Sequence, residues 1–169
     1  MTLKISNVAT LDPMDEVPWL DDKERQAWMA FVTAMHHLPE VLDRQLKRDS
    51  GMTHSEYMIL AMLSESEDRT LTMTRLAWMV RFSASRLSHT VAKLEGLGLV
   101  RRHKDPGNGR VTLATLTDRG FDVLDAAAPG HVRQVRSAVF DQLTEEQITQ
   151  FRDILRDMLA GPQLRDEGA

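Results

Sequence analysis

The chain has 169 residues, 42% hydrophobic and 27% charged, a balance ordinary for one globular domain with helical extensions. It contains no cysteine, which excludes disulfides, thiolate metal sites and thiol redox sensing. The formal net charge is −4, yet nine basic residues from Arg69 to Arg110 face only Glu95 and Asp105, so that segment carries +7 and the remainder −11. Binding to a polyanion depends on the local field, so the overall sign does not exclude nucleic acid. No apolar run approaches the roughly 18 residues a membrane span needs. The first twelve residues also lack the features of a secretory signal, so a cytoplasmic location is expected.

Residues 1–20 have no hydrophobic period and contain Pro13 and Pro18, which predicts an irregular arm. From Asp21 to residue 50, Ala27, Phe31, Met35, Leu38, Leu42 and Leu46 recur at three- and four-residue steps, the mark of an amphipathic helix. Pro39 within it predicts a kink near His36 or a break into two helices. Thr53 and Glu56 have capping-box spacing and open a second helix over about 53–66, with Tyr57, Leu60, Ala61 and Ser64 on its inner side. A short helix over 72–80 turns Leu76, Ala77 and Val80 inward.

After a brief turn at Arg81 and Phe82, Ser83 is a good cap for a helix reaching about residue 97 that buries Leu87, Val91 and Leu94. The segment Gly96-Leu97-Gly98 stops it. Leu99-Val100 and Val111 to Leu116 read as strands around the turn-rich Asp105-Pro106-Gly107-Asn108-Gly109-Arg110, so residues 99–116 form a β-hairpin. Thr117 caps a helix carrying Phe121, Leu124, Ala128, Val132, Val135 and Val139, which Pro129-Gly130 should bend. Thr144 and Gln147 repeat the capping-box spacing before a last helix with Ile148, Phe151, Leu155 and Met158.

Two short helices joined by a tight turn and followed by a basic hairpin make a winged helix-turn-helix over residues 51–116. The fold class is therefore mainly α with a small β-hairpin wing. Residues 21–50 and 117–160 form a helical layer whose apolar stripes exceed what a small winged helix must cover, so they are expected to dimerise. An α-helix fits the major groove of duplex DNA. With Leu87, Val91 and Leu94 inward, Ser85, Arg86, Ser88, His89 and Lys93 are left outward, and no acid precedes Glu95 on that helix. The expected DNA contacts are these five with Ser83 at the helix start, and Arg102 and Arg110 on the wing. Arg110 at the wing tip suits a narrow minor groove, where negative potential is enhanced.

Leu76-Ala77, Ser83 to Leu94, Gly98-Leu99-Val100-Arg101-Arg102, Asn108-Gly109-Arg110 and Leu116-Thr117-Asp118-Arg119-Gly120 together resemble the MarR family of bacterial regulators. The likeness extends from Trp19 to Leu159. It departs from the family pattern in the wing, where Asn108 stands in place of the usual aspartate two residues before the arginine. The resemblance implies a homodimer with interlaced terminal helices, two recognition helices in successive major grooves, and a palindromic operator with half-sites about one helical turn apart. It further implies a repressor released by a small aromatic or phenolic molecule bound near Trp28, His36 and Tyr57, at the junction of the dimer and DNA-binding layers.

Other chemistry is poorly supplied. Among the six histidines, His36 and His37 are adjacent and point to different faces, and no pair has the i, i+4 spacing of helical metal ligands. A metal site would have to join distant positions, such as His36 with His54 or His131, so no metal and no other cofactor is expected. There is no phosphate loop, nucleophile elbow or zinc-peptidase helix. The paired acids Asp21-Asp22 and Glu145-Glu146 sit at helix starts, where they favour the macrodipole. The chain is therefore not expected to be an enzyme. The rival readings are a winged-helix module that binds protein and a non-specific architectural DNA binder.

Overall fold

The computed structural model of the chain describes residues 17–161 and residue 164. The chain divides into two compact units, residues 1–36 and residues 37–169. In the first, residues 17–20 have neither helix nor strand, and residues 1–16 of the expected arm lie outside the described residues. Asp21 then opens α1 (Asp22–Ser50). Its carboxylate accepts the Glu24 amide at 2.8 Å while Glu24 accepts the Asp21 amide at 2.8 Å, so the two satisfy each other's orphan donors.

Pro39 lies inside α1 without ending it, so the expected break does not occur. An interior proline costs about 3 kcal/mol. Beyond it Leu42 and Leu46 are both buried, and full burial of such side chains stabilises by roughly 1.5–3 kcal/mol each, enough to keep the helix continuous.

In the second unit α2 (His54–Ser64) begins with the expected capping box: Glu56 accepts the Thr53 amide at 2.9 Å, and Thr53 Oγ1 accepts the Glu56 amide at 3.2 Å. Its buried apolar side is Tyr57, Ile59, Leu60 and Leu63, so Leu63 takes the inner place expected of Ser64. A 3-10 turn (Glu67–Arg69) leads into β1 (Thr70–Thr72), then α3 (Met73–Met79) and α4 (Ala84–Gly96). Strands β2 (Val100–Lys104) and β3 (Thr112–Leu116) make the hairpin, and β1 adds to it in the order β1-β3-β2, all antiparallel. β1 was not expected from the sequence: three residues are too few for alternation to show.

α4 stops as its glycines indicate. Gly98 takes a φ of +73°, its amide donates to the Glu95 carbonyl, and the Leu99 amide donates to the Leu94 carbonyl, both at 2.9 Å. This paired pattern satisfies the end of the helix and turns the chain directly into β2.

α5 (Asp118–Val135) is capped by Thr117 and passes through Pro129; a π-helical turn (Arg136–Phe140) and α6 (Glu145–Ala160) follow. The buried face of α5 is Gly120, Leu124, Ala127 and His131, in place of the expected stripe through Ala128 and Val132; Val132 is 54% exposed. The phase is set at Gly120. A Cβ there would lie 2.1 Å from the Leu99 carbonyl oxygen, so only glycine lets the helix lie against that backbone. Positions 124, 127 and 131 then follow at helical steps onto the core. That core joins Leu46, Ile59, Leu60, Leu63, Leu76, Leu87, Val91, Leu94, Val100 and Ala114 in one cluster.

Candidate nucleic-acid interface

Burial of Leu87, Val91 and Leu94 fixes the rotation of α4, and Ser85, Arg86, Ser88 and His89 are exposed on its opposite side. Ser83 is the N-cap, its hydroxyl accepting the Arg86 amide at 3.2 Å. Arg86 is held rather than loose: its guanidinium carbon lies 3.9 Å from the centre of the Phe82 ring, and its Nη2 donates to Ser55 Oγ at 3.1 Å.

Lys93 and Arg102, both expected to face DNA, have carboxylate partners. Lys93 Nζ is 2.5 Å from Glu56 Oε1, and the Glu56 side chain is only 5% exposed. Burial alone would raise the Glu56 carboxyl, but the hydrogen bonds from Lys93 and the Thr53 amide, with the lysine's charge, outweigh it and hold the group below the usual range. Arg102 donates from Nε at 2.9 Å and Nη2 at 2.6 Å to Glu95 Oε2, and its amide donates to Oε1 at 2.9 Å. The arginine hydrogen bonds hold the Glu95 carboxyl low. These pairs fasten α4 to the start of α2 at one point and to the wing strand β2 at another.

At the wing tip the Asp105 side chain accepts the Gly107 amide at 2.8 Å, and Asn108 Oδ1 accepts the Arg110 amide at 3.2 Å. Asn108 thus serves as an acceptor where the MarR pattern has an acid. Arg110 is exposed, and its side chain has no ion pair among the described residues.

Sequence reasoning missed Arg75, Trp78 and Arg81. The guanidinium carbons of Arg75 and Arg81 lie 4.1 and 5.0 Å from the centre of the Trp78 ring. The signal was an arginine three residues to each side of a tryptophan.

The residues expected to line an effector pocket fall in different units. Trp28, exposed, and Phe31 have ring centres 6.2 Å apart, and His36 Nδ1 lies 2.8 Å from the Val32 carbonyl oxygen, all in the first unit. Tyr57, in the second, is buried with its ring centre 4.2 Å from that of His131, which is 5.7 Å from His54. Burial pushes both histidines below their ordinary value; His54 also lowers His131, while Asp43 partly raises His54. Beside Tyr57 a cleft of about 230 Å³ is lined by Ala61, Ser64, Phe121, Leu124 and Ala128. Among the described residues no three histidines or carboxylates are grouped to hold a metal, and no helix is long and apolar enough to cross a membrane.

A helix-turn-helix with an acid-free outer face on its second helix, followed by a β-hairpin that a short preceding strand extends to three strands, defines a winged-helix DNA-binding protein. The profile of the MarR family matches residues 50–111. Among solved structures, the chain is similar to Sco3205, a MarR family transcriptional regulator from Streptomyces coelicolor in complex with DNA, at 45% identity and a TM-score of 0.84, over 90% of this chain and 94% of that one. It is also similar to AbsC, a MarR family transcriptional regulator from the same organism, at 34% identity and a TM-score of 0.80, over 85% and 97% of the two chains. YxaD, an uncharacterised HTH-type transcriptional regulator of Bacillus subtilis (strain 168), is 31% identical over 70% of this chain and 78% of its own length. The chain belongs to the MarR family of transcriptional regulators, a class that is not enzymatic.

Proposed function

We propose that the chain is a cytoplasmic, homodimeric repressor that holds a palindromic operator through α4 and the wing and leaves it when a small aromatic or phenolic molecule binds. The observation that carries the DNA-binding part is the outer face of α4. It offers two serine hydroxyls, a guanidinium and an imidazole, groups suited to base edges, and the acid that closes the helix, Glu95, is occupied by Arg102. The DNA complex of Sco3205 supports extending this use to a chain of such high likeness.

Dimerisation is favoured by α6, none of whose described residues is buried within the chain. Phe151, Ile154 and Met158 follow at three- and four-residue steps and are exposed, Ile154 by 58%, so a second copy is the natural cover for them. In this reading residues 21–50 and 117–160 make up the dimer layer. The cleft beside Tyr57 is the place in the second unit that suits a small planar ligand. A ligand that binds better to a dimer with mismatched helix spacing shifts the population away from DNA, and its differential affinity sets the response.

The test is fluorescence anisotropy on the DNA upstream of the protein's own gene and on a random duplex, over a range of salt. Tight, salt-dependent binding to the first alone supports the regulator. Equal binding to both favours an architectural DNA binder, and none at low salt favours a protein-binding module. A thermal-shift screen of aromatic acids with no stabilisation at saturating concentration overturns the effector assignment.

A further inference from the structure

The wing tip holds a residue pair with a chemistry of its own. The chain has two asparagines, Asn7 before Val8 and Asn108 before Gly109. A backbone nitrogen can attack the side-chain amide of the asparagine before it, and glycine, lacking a Cβ, hinders that attack least. Asn108 and Gly109 are both exposed.

Two ordinary reasons for a glycine do not apply at position 109. Its φ is not positive, and an added Cβ would meet nothing within 4 Å. Neither turn geometry nor packing within the chain requires it. Its nitrogen, moreover, is open. The Gly109 amide donates to no atom among the described residues, whereas the Asn108 amide donates to the Asp105 carbonyl at 3.2 Å and the Val111 amide to the Asn108 carbonyl at 2.8 Å. The Arg110 amide donates to Asn108 Oδ1 at 3.2 Å, which closes a ring containing both the Asn108 side-chain carbon and the Gly109 nitrogen. That bond holds the carboxamide forward beside the next peptide. It also rests on the oxygen that gains negative charge when its carbon is attacked, as an oxyanion donor does.

We propose that Asn108-Gly109 is a site of self-modification by deamidation, which replaces the neutral acceptor at the wing tip with a carboxylate. The Gly109 nitrogen gives its proton to solvent base and bonds to Asn108 Cγ. The bond from Cγ to the side-chain nitrogen breaks, and ammonia leaves with a proton from water. Water then opens the five-membered imide. Opening at Cγ gives aspartate, which keeps an acceptor for the Arg110 amide and matches the acid of the family pattern. Opening at the backbone carbonyl gives isoaspartate. The main chain then runs through Cγ and is one atom longer, so the turn bonds from Arg110 and Val111 to Asn108 are lost. The consequence for DNA rests on the DNA-binding reading above: isoaspartate disorders the turn that carries Arg110 and sets a negative charge beside it.

The test holds the full-length protein for several days at mildly alkaline pH and follows the peptide containing Asn108 by mass spectrometry. A gain of about one dalton, growing with time, is expected there. Gly109→Ala adds its methyl to open space, so it should melt like wild type and slow the gain by about tenfold or more. No gain in wild type, or equal rates in the two proteins, overturns the proposal. Ion exchange separates the modified forms by their added charge, and anisotropy measures their binding to a duplex that fresh protein selects from a random pool. The isoaspartate form should bind about fivefold to tenfold more weakly, while Asn108→Asp stays within about twofold of wild type. An isoaspartate form that binds as tightly as fresh protein overturns the consequence for DNA. Fresh protein that selects no duplex overturns the DNA-binding reading, while the mass gain still decides the modification.

Discussion

The Lys93 ammonium lies 2.5 Å from the Glu56 carboxylate, and the two are unequally buried: the Glu56 side chain is 5% exposed and that of Lys93 54%. Removing one partner therefore does not equal removing the other. Lys93→Met leaves a buried carboxylate without its cation, and breaking such a pair costs about 1–3 kcal/mol here, since the Thr53 amide still donates to the acid. Glu56→Gln keeps an oxygen for the Thr53 amide and leaves an ammonium that water can reach, so it should cost less. Urea denaturation of the two variants checks the order. Equal losses, or a larger loss for Glu56→Gln, contradict it. Lys93→Met should also leave the salt slope of DNA binding unchanged, because its charge is already matched.

Gly120 is the second place where one atom decides the packing. With Leu99 O 2.1 Å and Leu116 Cδ1 2.7 Å from the position of an added Cβ, Gly120→Ala must push α5 off the strand backbone. Overpacking of this kind typically costs about 1–3 kcal/mol, and a backbone obstacle places the substitution at the upper end. In contrast Gly96→Ala meets nothing within 4 Å and has no positive φ, so it should be neutral or slightly stabilising. Melting curves of the two proteins separate the cases.

The elements were legible in the sequence because their signals are local. The capping boxes at Thr53 and Thr144, the cap at Ser83 and the glycine stop at Gly98 each act within one turn of chain. What stayed hidden depends on partners from elsewhere. Periodicity placed Lys93 on the outer side of α4, but only packing brings Glu56 of α2 to it; Arg102 likewise meets Glu95 through the turn between α4 and β2. On α5 Leu124 faces inward as expected, but Ala128 and Val132 were taken for the neighbouring Ala127 and His131, because apolar side chains lie to both sides of the true face and the Leu99 backbone that selects Gly120 leaves no trace in hydropathy.

Stability should fall as the pH drops below neutrality. His54 and His131 have folded values below the ordinary 6.5, so between that value and the folded one the unfolded chain binds more protons than the native protein. The neutral histidines' contribution is complete above 6.5 and is lost as pH falls through the folded values. Beside them the Asp43 carboxyl is held low by Lys47 and the His54 amide, and the Tyr57 hydroxyl is raised by burial, so neither of these titrates in that window. Carboxylates such as Glu56, whose ordinary value is 4.5, act only at lower pH. Unfolding free energies of wild type and His131→Phe from about pH 7.5 to about pH 5 isolate the effect. A flatter profile in the variant is expected, and parallel profiles count against it.

Arg86 and Arg110 should fail in different ways when truncated. Arg86 is exposed on α4, stacked on Phe82 and donating to Ser55. Arg86→Ala should weaken operator binding by about 1–3 kcal/mol and relax preference at one base position, since a bidentate base contact is lost. Arg110 stands at the wing tip, where Asn108 orders the backbone but the side chain is exposed. A minor groove offers mostly shape and potential, so Arg110→Ala should weaken binding with little change in which major-groove bases are preferred. Binding of each variant to a set of operators with single base changes distinguishes the two. Loss of discrimination in Arg110→Ala and not in Arg86→Ala reverses the assignment, and identical effects in both remove the division of labour between helix and wing.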